Sequence, residues 1–392
     1  MNLRPDLQRF VLLAQRSGSR WGGIEHGLCR IEAETRLLER ASSPALVQLR
    51  DRAWQRPSVL AELAGLTYSR SAEPELLSRA LDFAEQELEG SRARPSLHDL
   101  HQEDGNDWAK RALQGRVAEL RRELELSQLL GSPELLVRVR ANYAQVESLD
   151  AATQLARDWL VEKVVPAVEP KVSLFDFIRR KAASLPGIRV IERPLLSRAA
   201  AGEGVLYVRP ATHVLESEAE RIWLHEVEGH LSMRRLSRTL GPPFGAGSNG
   251  AWMDEEGRAV WLEEAAGYLT SERRRELALA HIASLRILSG AAPLDVFDEL
   301  RDDGGDDSLL INSICRAARG GGLCRELGYL TGYLRVTRAR AEVPLIVDYL
   351  GLGRLSVPVA LELARSLVEE DNPTRSPRVQ SGGTFTSPNE NL

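Results

Sequence analysis

Cysteine, lysine, aromatic residues and long apolar runs are all scarce in this sequence, and each shortage excludes something. Cys29, Cys315 and Cys324 are an odd number, widely spaced and without a C-x-x-C, so they specify neither a disulfide framework nor a thiolate zinc site. A reducing, cytoplasmic compartment is expected. No stretch approaches the ~20 apolar residues of a membrane span, and charges interrupt the N-terminus from Met1 to Asp6, so no membrane partner is expected. Aromatic residues, at 5%, are too few for a stacking platform for bases or sugars. Among 51 basic residues only Lys110, Lys163, Lys171 and Lys181 are lysines, a bias of GC-rich genomes that suggests a bacterial source. The 56 acidic residues bring the formal net charge to -5. Non-specific phosphate binding needs a broad positive excess, so nucleic acid is not expected as a partner.

What is present describes a globular chain of 392 residues, 43% hydrophobic and 27% charged, and roughly 150 residues per domain points to two or three domains. From Pro5 to about Val165 apolar residues recur at three and four, as in Leu76 to Leu88 and Trp108 to Leu130, which predicts an N-terminal helical region over 1–165. The charge-rich run Val117 to Leu126 reads as a solvated helix face. A further helix is expected over Val172 to Ala183. Two short β-branched stretches, Ile188 to Glu192 and Gly204 to Pro210, are the strands the pattern supports. Helical periodicity resumes at Glu218 and holds to about Glu370, giving a second unit over 166–370. The tail 371–392 is polar and rich in Pro, Ser and Gly, so disorder is expected there. The fold class is α+β, mostly α-helical, with a small β-sheet.

One segment carries chemistry: Ser217-Glu218-Ala219-Glu220-Arg221-Ile222-Trp223-Leu224-His225-Glu226-Val227-Glu228-Gly229-His230. Ser217 followed by Glu220 is a capping-box pattern that predicts a helix start. In the usual zinc-protease helix the two histidines are four apart and face one ion. Here they are five apart, about 140° around a regular α-helix, whereas a π-bulge returns them to about 40°. A helix distortion between His225 and His230 is therefore expected, eased by Gly229. Zinc catalysis wants a third protein ligand and an open position, and a carboxylate is the usual partner of two histidines in peptidases. Gly250 to Glu264, a second helix behind the Gly-rich lead-in Gly241 to Gly250, offers several carboxylates. The isolated His26, His98, His101, His213 and His281 read as surface or capping residues. Cys315 and Cys324 have no assignable histidine partner for a nucleophile, and Trp223 and Val227 read as core contacts.

His225-Glu226-Val227-Glu228-Gly229-His230, followed by Glu255-Glu256-Gly257-Arg258-Ala259, resembles the QEGLA-motif family of zinc metallopeptidases, which includes the tubulin tyrosine carboxypeptidases. A third ordered match is Arg319-Gly320-Gly321-Gly322-Leu323-Cys324-Arg325-Glu326-Leu327-Gly328-Tyr329-Leu330-Thr331-Gly332, similar to the family's R-G-G, T-K-D and Y-L-x-G run. The resemblance covers roughly Ser132 to Ala341. It implies a zincin-like catalytic domain that binds one zinc ion per chain through His225, His230 and Glu256, with Glu226 as general base. Glu255 is the neighbouring alternative for the third ligand. It also implies a peptide or protein C-terminus as substrate, its carboxylate held by Arg319 or Arg325. Tyr329 or an arginine is expected to stabilise the oxyanion. The chain departs from the family at Glu228-Gly229 (Gly-Thr), Glu255 (Gln) and Cys324-Arg325-Glu326 (Thr-Lys-Asp). Arg and Lys recognise carboxylates with different geometry, so the last departure bears on the substrate pocket.

Two other classes stay open on the residues themselves. Two histidines and one carboxylate also describe the facial triad of non-haem Fe(II) enzymes. Glu226 separates the two, because a hydrolase needs a base beside the first histidine and an oxygenase does not. The long N-terminal half also allows a helical interaction protein with a vestigial metal site.

Overall fold

In the computed structural model the described residues are 21–371 apart from 36, 71–72, 91–107, 166–169, 242 and 303–305. His98, His101 and the tail 372–392 thus lie outside them. The first half is helical: α1 (Gly22–Thr35), α2 (Leu37–Ala41), α3 (Pro44–Ala53), a 3-10 stretch (Pro57–Gly65), α4 (Pro74–Gly90), α5 (Trp108–Gln128), α6 (Pro133–Tyr143) and α7 (Leu149–Leu160). There follow β1 (Lys171–Ser173), α8 (Leu174–Ala182), β2 (Arg189–Glu192), β3 (Ala199–Ala201), β4 (Val205–Val208) and β5 (His213–Leu215). The histidine motif occupies α9 (Glu216–Trp223), a π-helical stretch (Leu224–Leu231) and α10 (Ser232–Leu240). The rest is α11 (Ala251–Ala265), α12 (Ser271–Leu288), α13 (Pro293–Asp302), α14 (Asp307–Ala317), a 3-10 turn (Arg319–Gly321), α15 (Leu327–Glu342), α16 (Ile346–Leu350) and α17 (Val357–Asp371). The fold is α+β and mostly helical, and no described helix is long and apolar enough to cross a membrane.

The two expected strands are β2 and β4, which pair in parallel from Arg189 opposite Val205 to Glu192 opposite Val208. Sequence pattern missed β1, β3 and β5, each three residues long. β3 is three alanines, a residue depleted in strands, and it becomes one only by antiparallel pairing with β4. The expected capping box is absent: α9 starts two residues earlier, with Leu215 at the cap position and no side-chain cap, and Glu220 pairs with Lys181 instead. Ser173 does cap α8, accepting from the Asp176 amide at 3.3 Å.

Two further expectations fail because tertiary contacts bury charge. The run on α5 is not a plain solvated face: Glu119 is buried, is paired with Arg116, and accepts from the Gly250 amide at 3.0 Å. His281 lies in the core of α12 with Nε2 3.2 Å from Thr153 Oγ1, and burial pushes its pKa down to about 4. His26 and His213 are exposed, as expected.

Helices from both halves share cores. Leu28, Leu81 and Leu113 pack with Phe244, Val336 and Leu350, and Leu46 and Leu135 pack with Phe297 and Ile314. α8 packs on the strands and on Val227 and Leu231 of the motif helix. Trp223 is half-buried beside that core and Val227 is fully within it, as expected.

α11 and α15 approach each other backbone to backbone. A Cβ on Gly257 would stand 2.0 Å from the Gly332 carbonyl carbon, and one on Gly332 would stand 2.0 Å from the Met253 oxygen. These are backbone atoms that cannot give way, so only glycine fits at the crossing. Gly257→Ala and Gly332→Ala are each expected to cost at least the ~1–3 kcal/mol of an overpacked core, read as a lowered melting temperature. An unchanged melting temperature in both variants would show that the helices separate freely.

Candidate metal centre

The motif helix is π-helical from Leu224 to Leu231, so the expected distortion spans both histidines. The extra residue per turn brings the two imidazoles to one side, with ring centroids 5.0 Å apart. The carbonyl groups of Glu228 and Gly229 accept from Arg258 Nη1 at 3.0 and 3.3 Å, which ties the π-stretch to α11. Gly229 is required for packing and not for backbone freedom. Its φ is not positive, and a Cβ there would meet Ala259 Cβ at 2.7 Å.

α11 delivers Glu256 against this pair. Glu256 Oε2 lies 3.5 Å from His225 Nε2 and 3.6 Å from His230 Nε2, and one ligand atom from each residue falls within 4.8 Å of the others. Oε2 is buried without a hydrogen-bond partner, an arrangement that costs free energy unless something else binds it. Both Nδ1 atoms are taken: His225 Nδ1 is 2.7 Å from Glu263 Oε1, and His230 Nδ1 is 2.7 Å from Glu255 Oε1. An imidazole that donates Nδ1–H to a carboxylate presents its Nε2 lone pair, the form a metal ligand needs. The donor set of two such nitrogens and one orphaned carboxylate oxygen suits a divalent cation.

The supporting carboxylates are themselves held. Glu263, fully buried, accepts from Arg273 at 2.8 and 3.0 Å and from Arg221 at 3.3 Å. Burial opposes its charge, but Arg273 and Arg221 keep its pKa well below the usual carboxylate range. Glu255 accepts from Arg234 at 2.9 Å; burial again works against ionisation, and Arg234 and His230 hold it at about 2. Burial also disfavours a charged imidazole, yet Glu256 and Glu255 push His230 up to about 10, a measure of the negative potential converging there. A cation would relieve that potential.

Glu226, beside His225, accepts from the Ala201 amide of β3 at 2.7 Å. Tyr329 stacks on His225 with centroids 6.3 Å apart and planes 15° apart, and its hydroxyl accepts from Arg316 at 3.1 Å. Burial and the Glu256 charge raise the Tyr329 pKa, which keeps its proton on. His225, Glu226, His230, Glu256, Arg319, Arg325 and Tyr329 all line one cleft of about 680 Å3. The two arginines differ in state. Arg319 is bound to Glu326 Oε1 at 2.6 Å and to the Arg316 carbonyl at 3.0 Å. Arg325 lies over the Trp252 ring at 4.0 Å and, among the described residues, makes no side-chain hydrogen bond or ion pair.

A family model described as microtubule-associated tyrosine carboxypeptidase matches residues 71–371. The chain belongs to this family. The expected relation to the tubulin tyrosine carboxypeptidases is thereby shown, and the matched span is longer at both ends than the Ser132 to Ala341 of the motif resemblance. No curated protein and no solved structure matches the chain. In this member of the family the sequence motifs missed Glu263, Arg221, Arg273, Arg234 and Arg316. A helical signal existed for two of them: Glu263 is seven residues after Glu256 on the same face, and Arg221 is four before His225.

Glu263→Gln is expected to weaken binding of a divalent cation at this site by about 10- to 100-fold, measured by competition with a chromophoric chelator. Unaltered affinity would show that His225 is oriented without it.

Proposed function

We propose that the protein is a zinc-dependent carboxypeptidase that removes a residue from a peptide or protein C-terminus, with the ion held by His225, His230 and Glu256. The observation that carries this reading is the orphaned Glu256 Oε2 between two imidazole nitrogens whose opposite ring atoms are anchored by carboxylates. When bound there, zinc supplies a polarised scissile carbonyl and a more acidic water. The chain's own groups do the rest. Glu226, aimed by the Ala201 amide, takes the proton of the attacking water and returns it to the leaving amine. Tyr329 keeps its proton and accepts from Arg316, so its O–H is free to donate to the oxyanion that develops on the scissile carbonyl.

Arg325 takes the substrate's terminal carboxylate in this reading. Its guanidinium makes no ion pair among the described residues and feels Glu123 of the cleft wall only at longer range, whereas Arg319 is committed to Glu326. Arg319 then shapes the cleft wall alongside Arg316, which shares the same Glu326 oxygen. The family's description makes a C-terminal tyrosine the first substrate residue to try.

The purified protein is expected to hold about one zinc per chain, lost in His225→Ala and His230→Ala. Glu226→Gln keeps the metal and loses about 10² to 10⁴ in turnover. Elemental analysis beside peptide hydrolysis decides: tightly held iron would instead favour the oxygenase, and zinc loss in Glu226→Gln would make that residue a ligand. Amidating the substrate C-terminus is expected to cost about 2 to 5 kcal/mol in kcat/KM, the scale for stranding one member of a buried charge pair. Arg325→Met should reproduce most of that loss on free-acid peptides and add little on amidated ones, while Arg319→Met should not show that selectivity. Equal cleavage of free-acid and amidated peptides by the wild-type protein would leave an endopeptidase in place of the carboxypeptidase.

A further inference from the structure

The family match begins at residue 71, yet the cleft is not built from matched residues alone. Glu32, Leu37, Leu38, Glu39, Ser42 and Val47 all precede the match and all line the cleft. Their segment is tightly held. Arg354 Nη2 donates to Glu32 of α1 at 2.8 Å, and the guanidinium of Arg50 on α3, 1% exposed, donates to the carbonyl oxygens of Leu195 and Leu196. Leu37 and Val47 share a core with Leu196. Helices α2 and α3 are thereby fixed against residues 193–196, which lead directly into β3, the strand whose Ala201 amide aims Glu226.

Where the two segments meet, the cleft surface is apolar. Leu38 is 38% exposed, Leu195 and Tyr207 are half-buried, and Leu37, Val47 and Leu196 close the floor. At its rim Glu39 pairs with Arg193 at 3.7 Å, and that guanidinium lies over the Tyr207 ring at 5.4 Å. A charged or amide side chain laid on Leu38 and Leu195 would lose water without gaining a partner from them, whereas an apolar one would exclude water from both at no such cost. Much of the remaining cleft wall is formed by paired arginines and glutamates, with Ile222 and Trp252 as apolar residues elsewhere in it.

We propose that the ledge around Leu38 is a subsite for an apolar side chain of the substrate, and that the segment 32–47, outside the matched residues, sets this specificity. The inference rests on the carboxypeptidase reading and adds to it the side-chain class accepted.

The test uses the full-length, zinc-loaded protein and N-acetylated tetrapeptides with a free C-terminus, ending in tyrosine. Leucine, glycine and aspartate are placed in turn at each of the two positions before the tyrosine and, in a third set, at the terminal position itself. Discrimination by an apolar pocket is typically 10- to 200-fold, and a ledge that presents one face of Leu38 belongs at the low end. Wild-type kcat/KM is therefore expected to favour leucine over glycine by about tenfold at one position, mainly through KM. Leu38→Asp brings that ratio to about one and leaves the ratios at the other positions as they were. Leu38→Ser, which removes the apolar face without adding a charge, moves the same ratio in the same direction and serves if the aspartate variant does not fold. A wild-type enzyme without a leucine preference at any position overturns the subsite, and so does a leucine preference that survives in Leu38→Ser. Failure of the wild-type protein to cleave any of the peptides overturns the carboxypeptidase reading itself, and the subsite with it.

Discussion

Two helices cross at a pair of glycines, and the arrangement of the cleft follows from that contact. Because neither Gly257 nor Gly332 carries a Cβ, α11 and α15 approach backbone to backbone. Glu256 is the residue before one glycine and Tyr329 stands one turn before the other. The crossing therefore brings a carboxylate and a phenol to the same place. The π-stretch docks on α11 by a similar close approach, Gly229 on Ala259, so the histidines reach Glu256 at 3.5 and 3.6 Å. The small residues of the second and third motifs are packing requirements that place larger neighbours.

Charge around the histidines is organised in shells. Each imidazole leans on a buried glutamate, and each glutamate leans on arginine: Glu263 on Arg273 and Arg221, Glu255 on Arg234. Replacing buried ion pairs by apolar residues is often neutral or stabilising in proteins, so stability alone is a poor account of such a network. Orientation is a better one. A ring that donates Nδ1–H to an ionised, immobile acceptor cannot rotate or change tautomer without losing a charge-assisted hydrogen bond, and Nε2 stays aimed at Glu256. The same reasoning covers Tyr329, whose oxygen is fixed by Arg316 while Arg316 is fixed by Glu326.

The helical first half is structurally continuous with the rest. Its helices fill two of the cores jointly with residues beyond 240, and Glu32, Arg50 and Glu119 bond to Arg354, to the 195–196 carbonyls and to the Gly250 amide. One wall of the cleft is thus contributed by residues that precede the family match.

Much of the centre was legible in one dimension, because the signals involved are local. The five-residue spacing of His225 and His230 implied a distorted helix, since 100° per residue permits no other way to aim both rings at one ion. Length and period marked α4, α5 and α8, and β-branched runs marked β2 and β4. What stayed hidden depends on partners far along the chain. Ala199 to Ala201 is a strand only because β4 lies beside it, and His281 is a core residue only because α7 covers α12. Arg319 and Arg325 are six residues apart in one motif with the same side chain, and the sequence could not rank them. The fold gives them different surroundings, with Glu326 against one and the Trp252 ring under the other. Periodicity and motif spacing report which side chains share a face of one element. Which acid reaches which base is set by the packing of separate elements, and only the tertiary structure decides it.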